Sequence, residues 1–546
     1  MIKAIIKINL ILIIFGCELV YSQTFTEILG RPTNSTITMS ILFDQKEDVY
    51  WEYGTASGAY TLSTVPMIAP VDTPLEADFT NLIPDTKYYY RTRYRTNDAS
   101  TAYQAGTEHS FHTQRAPGST FTFTIEADEH LYDHKGVRNE YQICLANQAA
   151  DKPDFMLTLG DIFGDDHHPT TITSHDMDSL HKMYRQYLGN ICHSVPFYIC
   201  LGNHEGEKDY YLHQTPPNNM AVYGTLWRKF YYPNPYPNNF YTGDTTHEGY
   251  GMGQPENYYA WTWGNALFVV MDVYRYDCDT SAKPKNWNWS LGYPEYQWLK
   301  STLENSTAQY KFVFAHHVSG EGRGGIVQAK SFEWGGYEAN GTTWGFTTKR
   351  PGWPMPIHQL FATYGVNIFF QGHDHLFAHE MMDGVTYQEV PMPSDSTYNL
   401  GMLANADAYT ADTIPGSGHL RVTVSPACVQ VDFVRAYLPA DTVSGAHHNR
   451  EVAFSYTLGN CTTAVENKNN EEESIKIFPN PAQDIITAIF PNDKEPFQLS
   501  IINALGQTLL QSQSNTIDVS HIQNGIYFLS IRTVRDEVNR KVVINR

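Results

Sequence analysis

Pro196-Phe-Tyr-Ile-Cys-Leu-Gly-Asn-His-Glu205 is the stretch around which the chain is organised. Phe197 to Leu201 is a short apolar run of strand length, and it stops at a glycine. The next two side chains are an amide oxygen ligand and an imidazole. Four other places repeat this design. Phe121-Thr-Phe-Thr-Ile125 leads into Asp128-Glu129-His130, and Phe155-Met-Leu-Thr-Leu159 leads into Gly160-Asp161. Lys311-Phe-Val-Phe-Ala315 leads into His316-His317, and Val366-Asn-Ile-Phe-Phe370 leads into Gly372-His373-Asp374-His375. Each apolar run is predicted to be a buried strand that ends in metal-type ligands. In α/β sheets the carboxyl ends of strands are where sites are built, so the five clusters are expected to converge. Alternation along an extended segment puts His373 and His375 on one face and Asp374 on the other, where it orients backbone.

The order Asp-x-His, Gly-Asp, Gly-Asn-His-Glu, His, Gly-His-x-His resembles the calcineurin-like metallophosphoesterases, the superfamily that contains the purple acid phosphatases. The resemblance covers roughly Ser119 to Tyr456. It implies a central α/β domain, residues 119–460, in which two β-sheets form a sandwich flanked by helices. It also implies two metal ions sharing one aspartate. Carried over residue by residue, one metal takes Asp128, His130, Asp161 and His375, and the other takes Asp161, Asn203, His316 and His373. Mixed carboxylate, amide and imidazole ligands suit Fe, Mn or Zn. A bridging hydroxide would attack phosphorus, and His204, beside a ligand but outside the set, would protonate the leaving oxygen. The purple enzymes carry a tyrosine three residues after the bridging aspartate, where this chain has Gly164 followed by Asp165 and Asp166. The charge-transfer ligand is therefore missing, and the partner of His204 is Asp165, Asp166 or another group.

Other residues near these blocks are candidates for contacting substrate. Arg323 lies in the glycine-rich run Gly320-Glu-Gly-Arg-Gly-Gly325, where it would clamp an anionic oxygen. His167, His168 and His317 are placed on the substrate side. The function implied is hydrolysis of phosphate esters. The same metal pair would also serve a phosphodiesterase or a sulfoesterase acting on extracellular polysaccharide. A surface binding protein with structural metals is a third reading.

At 546 residues and 42% hydrophobic content, the chain has material for several domains with cores. Its formal net charge of −21 excludes nucleic acid as the main partner, because phosphate backbones need a basic face. Lys3 and Lys7 precede the apolar run Ile8 to Phe15, which reads as a signal peptide over residues 1–22 and is too short to cross a bilayer. Phe15 before Gly16-Cys17 does not fit a lipoprotein signal, and no other stretch suits a transmembrane segment. Export permits disulfides: Cys192 with Cys200 and Cys428 with Cys461 are candidate pairs, and Cys144 is expected free and buried.

Residues 24–115 carry short β-type runs. Leu82-Ile-Pro-Asp-Thr-Lys-Tyr88 and the tyrosines after it look like the tyrosine corner of a fibronectin type III-like sandwich. Helices are expected over Arg138 to Ala150, Asp176 to Leu188 and Tyr296 to Leu303, and a long loop over Tyr210 to Tyr259. Residues 465–474 form a charged linker. Residues 475–546 read as a small all-β domain and resemble the C-terminal sorting domain of the type IX secretion system. That resemblance implies the type IX machinery as a partner and a secreted or cell-surface destination.

Overall fold

The computed structural model describes residues 25–545 except 99, 277–282, 321–322, 401–403, 411, 460, 462–475, 490–497, 504–506 and 533–536. The expected signal peptide and charged linker lie outside the described residues. The chain divides into two compact units, Met1–Gly459 and Asn460–Arg546.

The first unit is built on two large sheets. One has six strands in the order Phe197–Ile199, Phe155–Thr158, Phe121–Glu126, Gly418–Val424, Cys428–Arg435, Val452–Gly459. The other has eight, with Ala266–Val270, Tyr310–Phe314, Ile368–Gln371 and Val385–Glu389 at its parallel centre. Their inner faces share one core that includes Phe123, Phe155, Phe268, Phe312, Phe314 and Phe370. Phe123 meets Phe268 edge to face at 5.1 Å between ring centroids. The outer faces are covered as well. Arg138–Asp151 and Ser174–Cys192 pack on the six-stranded sheet, and Tyr293–Glu304 and Ile357–Tyr364 on the eight-stranded one. Burial on both faces is why these strands read as continuous apolar runs without alternation.

Parallel register brings the ligand-bearing ends level. Ile125 lies beside Leu157 and Leu157 beside Tyr198, while Phe314 pairs with both Val270 and Phe370. All five blocks of expected ligands therefore leave their sheets at the same edge of the sandwich.

Residues 25–112 form two further sheets over a shared core containing Trp51, Phe79, Tyr88 and Phe111. The Ile83 amide donates to the Tyr88 hydroxyl at 2.9 Å, holding the corner before the strand Lys87–Thr96. This region belongs to the same compact unit as the large sheets. Buried Arg185 donates to Thr26 Oγ1 and the Ser40 carbonyl, and Tyr90 donates to the His193 carbonyl at 2.6 Å.

Two local expectations differ from the structure. The Tyr210 to Tyr259 stretch holds a twelve-residue helix, Met220–Tyr231, whose Asn219 cap accepts from the Val222 amide at 3.0 Å. Cys192 and Cys200 are free and buried, not paired, as is Cys144. Cys192 faces the Met156 sulfur and Cys200 the Met271 carbonyl, so their side chains point to different neighbours. Cys428 and Cys461 are each disulfide-bonded.

The second unit has a three-stranded and a four-stranded sheet around Ile486, Leu499, Ile501, Leu529 and Val542. Among the described residues, no helix is long and apolar enough to cross a membrane.

Candidate metal centre

Five strand ends deliver their side chains to one buried cluster. Asp128, His130 and His375 form one group of donor atoms within 4.8 Å of one another, and Asp161, His316 and His373 form another. Asp161 Oδ2 lies between them, 3.1 Å from His316 Nε2 and 3.8 Å from His130 Nε2. On one side, His130 and His375 approach at 3.1 Å through their Nε2 atoms, with Asp128 Oδ1 at 3.6 Å from His375. On the other, His316 Nε2 is 3.2 Å from His373 Nδ1. The structure thus brings together six of the seven residues expected as ligands. Asn203 lines the cavity beside His373, its Oδ1 buried and without a hydrogen-bond partner.

Backbone conformation aims these groups. Asp128, His130, Asp161, His373 and His375 all have φ between 45° and 79°, in the left-handed region that side chains other than glycine seldom occupy. This corrects the extended reading of His373 to His375. Left-handed turns, not strand alternation, send His373 to one side of Asp161 and His375 to the other. Asp374 does point elsewhere, accepting from the Gly324 amide at 2.9 Å and from Tyr409 at 2.9 Å.

The remaining atoms of the donors are tied down. Asp128 Oδ2 accepts from the His373 amide at 2.8 Å, and Asp161 Oδ1 from the His204 amide at 2.8 Å. The His316 Nδ1 proton goes to the Leu159 carbonyl at 2.7 Å, and Tyr132 meets His130 Nδ1 at 2.9 Å. Such partners fix which ring nitrogen faces inward. Glu205, a residue to which the sequence reading gave no role, accepts from the amides of Asp161, Ile162, Phe163 and Gly202. It clamps the Asp161 turn to the Asn203 turn. Glycines let the two turns touch: a Cβ on Gly160 would strike the Gly202 amide, and one on Gly164 would strike the His204 carbonyl.

A divalent cation fits this donor set. Asp128 Oδ1 and Asp161 Oδ2 are buried carboxylate oxygens without hydrogen-bond partners, an arrangement that costs several kcal/mol unless positive charge offsets it. Packed against one another, the groups attract protons. Burial and Asp161 push the Asp128 carboxyl up to about 8. Against the effect of burial, Asp161 and Asp128 lift His316 to about 10.

His204 is held from behind. Its Nδ1 is 3.0 Å from Asp166 Oδ1, while Lys208 Nζ sits 2.5 Å from Asp166 Oδ2. Of the partners left open by the sequence, Asp166 is the one in place. Burial disfavours the imidazolium, but Asp161 and Asp166 outweigh it and raise the His204 pKa. The ring's Nε2 is 3.7 Å from Asp161 Oδ2. Lys208 is buried among the rings of Tyr210, Tyr211 and Tyr274, and nothing in its local sequence marked it.

The four candidate substrate contacts are placed unequally. His317 is buried, with Nδ1 on the Val318 carbonyl at 2.7 Å and Nε2 unpartnered in the cavity wall. The His167 ring lies 4.9 Å from that of His204 and bonds Asp165 at 2.9 Å. His168 is mostly exposed, 3.6 Å from Asp165. Arg323 is engaged away from the donors, at 2.7 Å from both Asp374 and Asp407 and on the Asn405 carbonyl.

Residues 121–377 match the family model of the calcineurin-like phosphoesterases, and residues 476–545 match that of the secretion system C-terminal sorting domain. Among solved structures the chain is similar to PhoD, with a TM-score of 0.55 and 15% identity over 80% of this chain and 90% of that one. It is also similar to a purple acid phosphatase isolated from yellow lupin (Lupinus luteus) seeds, with a TM-score of 0.52 and 15% identity over 79% of this chain and 74% of that one. At such identity the likeness is one of fold. No curated protein matches the chain.

Proposed function

We propose that this metal-dependent phosphoesterase, whose residues 121–377 are a calcineurin-like phosphoesterase domain, is exported and hydrolyses phosphate esters with two divalent cations. The observation that carries the reading is Asp161 Oδ2, which lies 3.1 Å from His316 Nε2 in one group of donors and 3.8 Å from His130 Nε2 in the other. Asp128, His130, Asp161 and His375 would hold one cation, and Asp161, Asn203, His316 and His373 the other. When bound, the pair would make water a nucleophile near neutral pH and offset charge growing on the phosphoryl oxygens. The chain's own part is to orient and to move a proton. His204, braced by Asp166 and Lys208, would donate from Nε2 to the departing oxygen. The unpartnered His317 Nε2 would accept a hydrogen bond from the ester or from water.

The match of residues 476–545 to a secretion sorting domain supports type IX export of the remainder. Two sheets over one core, with the Tyr88 corner bond, support reading residues 24–115 as a fibronectin type III-like module. On this reading the further boundaries are 119–460 for the catalytic domain, 465–474 for a linker and 475–546 for the sorting domain.

Elemental analysis should find about two transition-metal ions per chain, and a chelator should abolish hydrolysis of a phosphomonoester. Full activity in protein free of such metals would overturn the reading. Phosphodiesters and sulfate esters in the same assay test the polymer-directed alternative, which requires that they outpace monoesters.

A further inference from the structure

A cavity of about 530 Å³ opens beside the metal-type donors, with Asn203, His317, His373, Asp166 and Lys208 at its base. That is the size of a site for a whole small molecule, well beyond what a phosphoryl group fills. Tyr210, Tyr274 and Trp289 form its walls. The Tyr274 hydroxyl is buried without a hydrogen-bond partner, so the wall offers a polar group that the protein itself does not use. Lys283 and Lys285 complete the lining.

Charge within this lining is unequally committed. Lys208 is neutralised by Asp166, and Asp166 is in turn divided between Lys208 and His204. Lys283 and Lys285 are exposed on the cavity, and neither makes an ion pair among the described residues. Two ammonium groups with no ion-pair partner among the described residues, on one cavity, stand out in a chain with 58 acidic and 37 basic residues.

We propose that Lys283 and Lys285 form a second anion subsite, which binds a carboxylate, sulfate or phosphate carried by the leaving-group part of the ester. The preferred substrate is then a phosphate ester of an anionic alcohol, its reacting phosphoryl at the metal-type donors and its second charge at the lysines. This rests on the phosphoesterase reading above and adds a substrate class to it.

The test uses two esters matched in shape, 3-carboxyphenyl phosphate and 3-carbamoylphenyl phosphate, with the metal-loaded full chain and its Lys283→Gln/Lys285→Gln variant. For the wild type, kcat/KM should favour the carboxylate by about tenfold, the scale of two solvent-screened charge contacts. The variant should lose that preference and keep its rate on the amide, which also shows that it is folded. Raising the salt should shrink the wild-type preference. A wild type indifferent to the second charge overturns the subsite. So does an equal loss on both esters, which would put the lysines on the reacting phosphoryl. If neither ester is hydrolysed, the phosphoesterase reading itself fails.

Discussion

His204→Ala removes the ring that would face the leaving group and leaves the seven expected ligands in place. The amide of residue 204, which donates to Asp161 Oδ1 at 2.8 Å, belongs to the backbone and survives the change. Asn203 and the other strand ends are untouched, so both cations should remain. What goes is a proton donor, and such donors contribute on the order of 10² to 10⁴ in rate, or roughly 3–5 kcal/mol. Alkyl phosphates, whose oxygen must be protonated as it departs, should lose that much. Aryl phosphates, whose oxygen leaves with its charge, should lose less than about tenfold. Asp166→Asn should lie between, because it weakens one charge-assisted contact at 3.0 Å, worth about 1.5–3 kcal/mol. The assay is kcat/KM against leaving-group pKa with metal content measured alongside; His204→Ala should steepen the slope. His316→Ala, which deletes a nitrogen 3.1 Å from Asp161 Oδ2, should instead lose metal and fail on both substrate classes. Equal losses across all leaving groups in His204→Ala, with metal intact, would refute the proton-donor role.

Gly164→Ala should force the His204 carbonyl away by on the order of 1 Å, displacing Asn203 and His204 together, and cut activity on every ester while costing about 1–3 kcal/mol of stability; unchanged kinetics and melting would show that the two turns do not touch in solution. Iron-loaded protein should show no tyrosinate charge-transfer band, since no side chain fits at position 164, and a strong visible band lost on Tyr132→Phe would contradict this. Asp151 is held down to about 2 by the His419 hydrogen bond, Arg421 and Arg450, which overcome burial. Its folded value lies below the reference 3.8, so its contribution of about 2 kcal/mol is present above pH 4 and fades as pH falls towards 2. Urea unfolding with chelator throughout should show Asp151→Asn weaker at pH 6 and nearly equal to wild type near pH 2; a constant gap would sink that assignment. Deleting residues 475–546 should leave catalysis intact and hold the protein in the periplasm, and unchanged export of the truncated chain would remove the sorting role.

The five apolar runs and the metal-type side chains that end them were legible in the sequence because both signals are local. A strand buried on two faces needs unbroken hydrophobicity, and a metal donor needs a particular side chain. The convergence followed from the expectation that sites form at strand ends. What was not legible depends on backbone angles and on distant partners. His373 and His375 were read as strand neighbours, whereas their φ values of 79° and 61° make them turn residues. Cys192 and Cys200 looked pairable from their spacing, but one closes a helix facing Met156 and the other follows a strand facing Met271. The helix Met220–Tyr231 lay hidden among tyrosines, asparagines and prolines that signal loops. Asp166 was one of several open partners for His204, and only the fold brings Lys208 to its other oxygen.

The same contrast explains how one carboxylate oxygen comes to be shared. Gly160, Gly164 and Gly202 let the Asp161 and Asn203 turns meet backbone to backbone. Hydrogen bonds then run both ways: the His204 amide binds Asp161 Oδ1, and Glu205 returns to the amides of Asp161, Ile162 and Phe163. With Oδ1 occupied, Asp161 presents only Oδ2 to His316 and His130. Because the clamp is made largely of main chain, substituting a ligand side chain should remove a donor without moving the rest. Glu205→Gln would instead loosen both turns at once, since an amide offers one acceptor oxygen where the carboxylate serves four backbone N–H groups. It should therefore weaken both cations together, where His316→Ala weakens mainly the one that His316 would hold. Titrating metal content in the two variants separates these outcomes, and selective loss of a single cation in Glu205→Gln would mean that the turns are held by something other than this clamp.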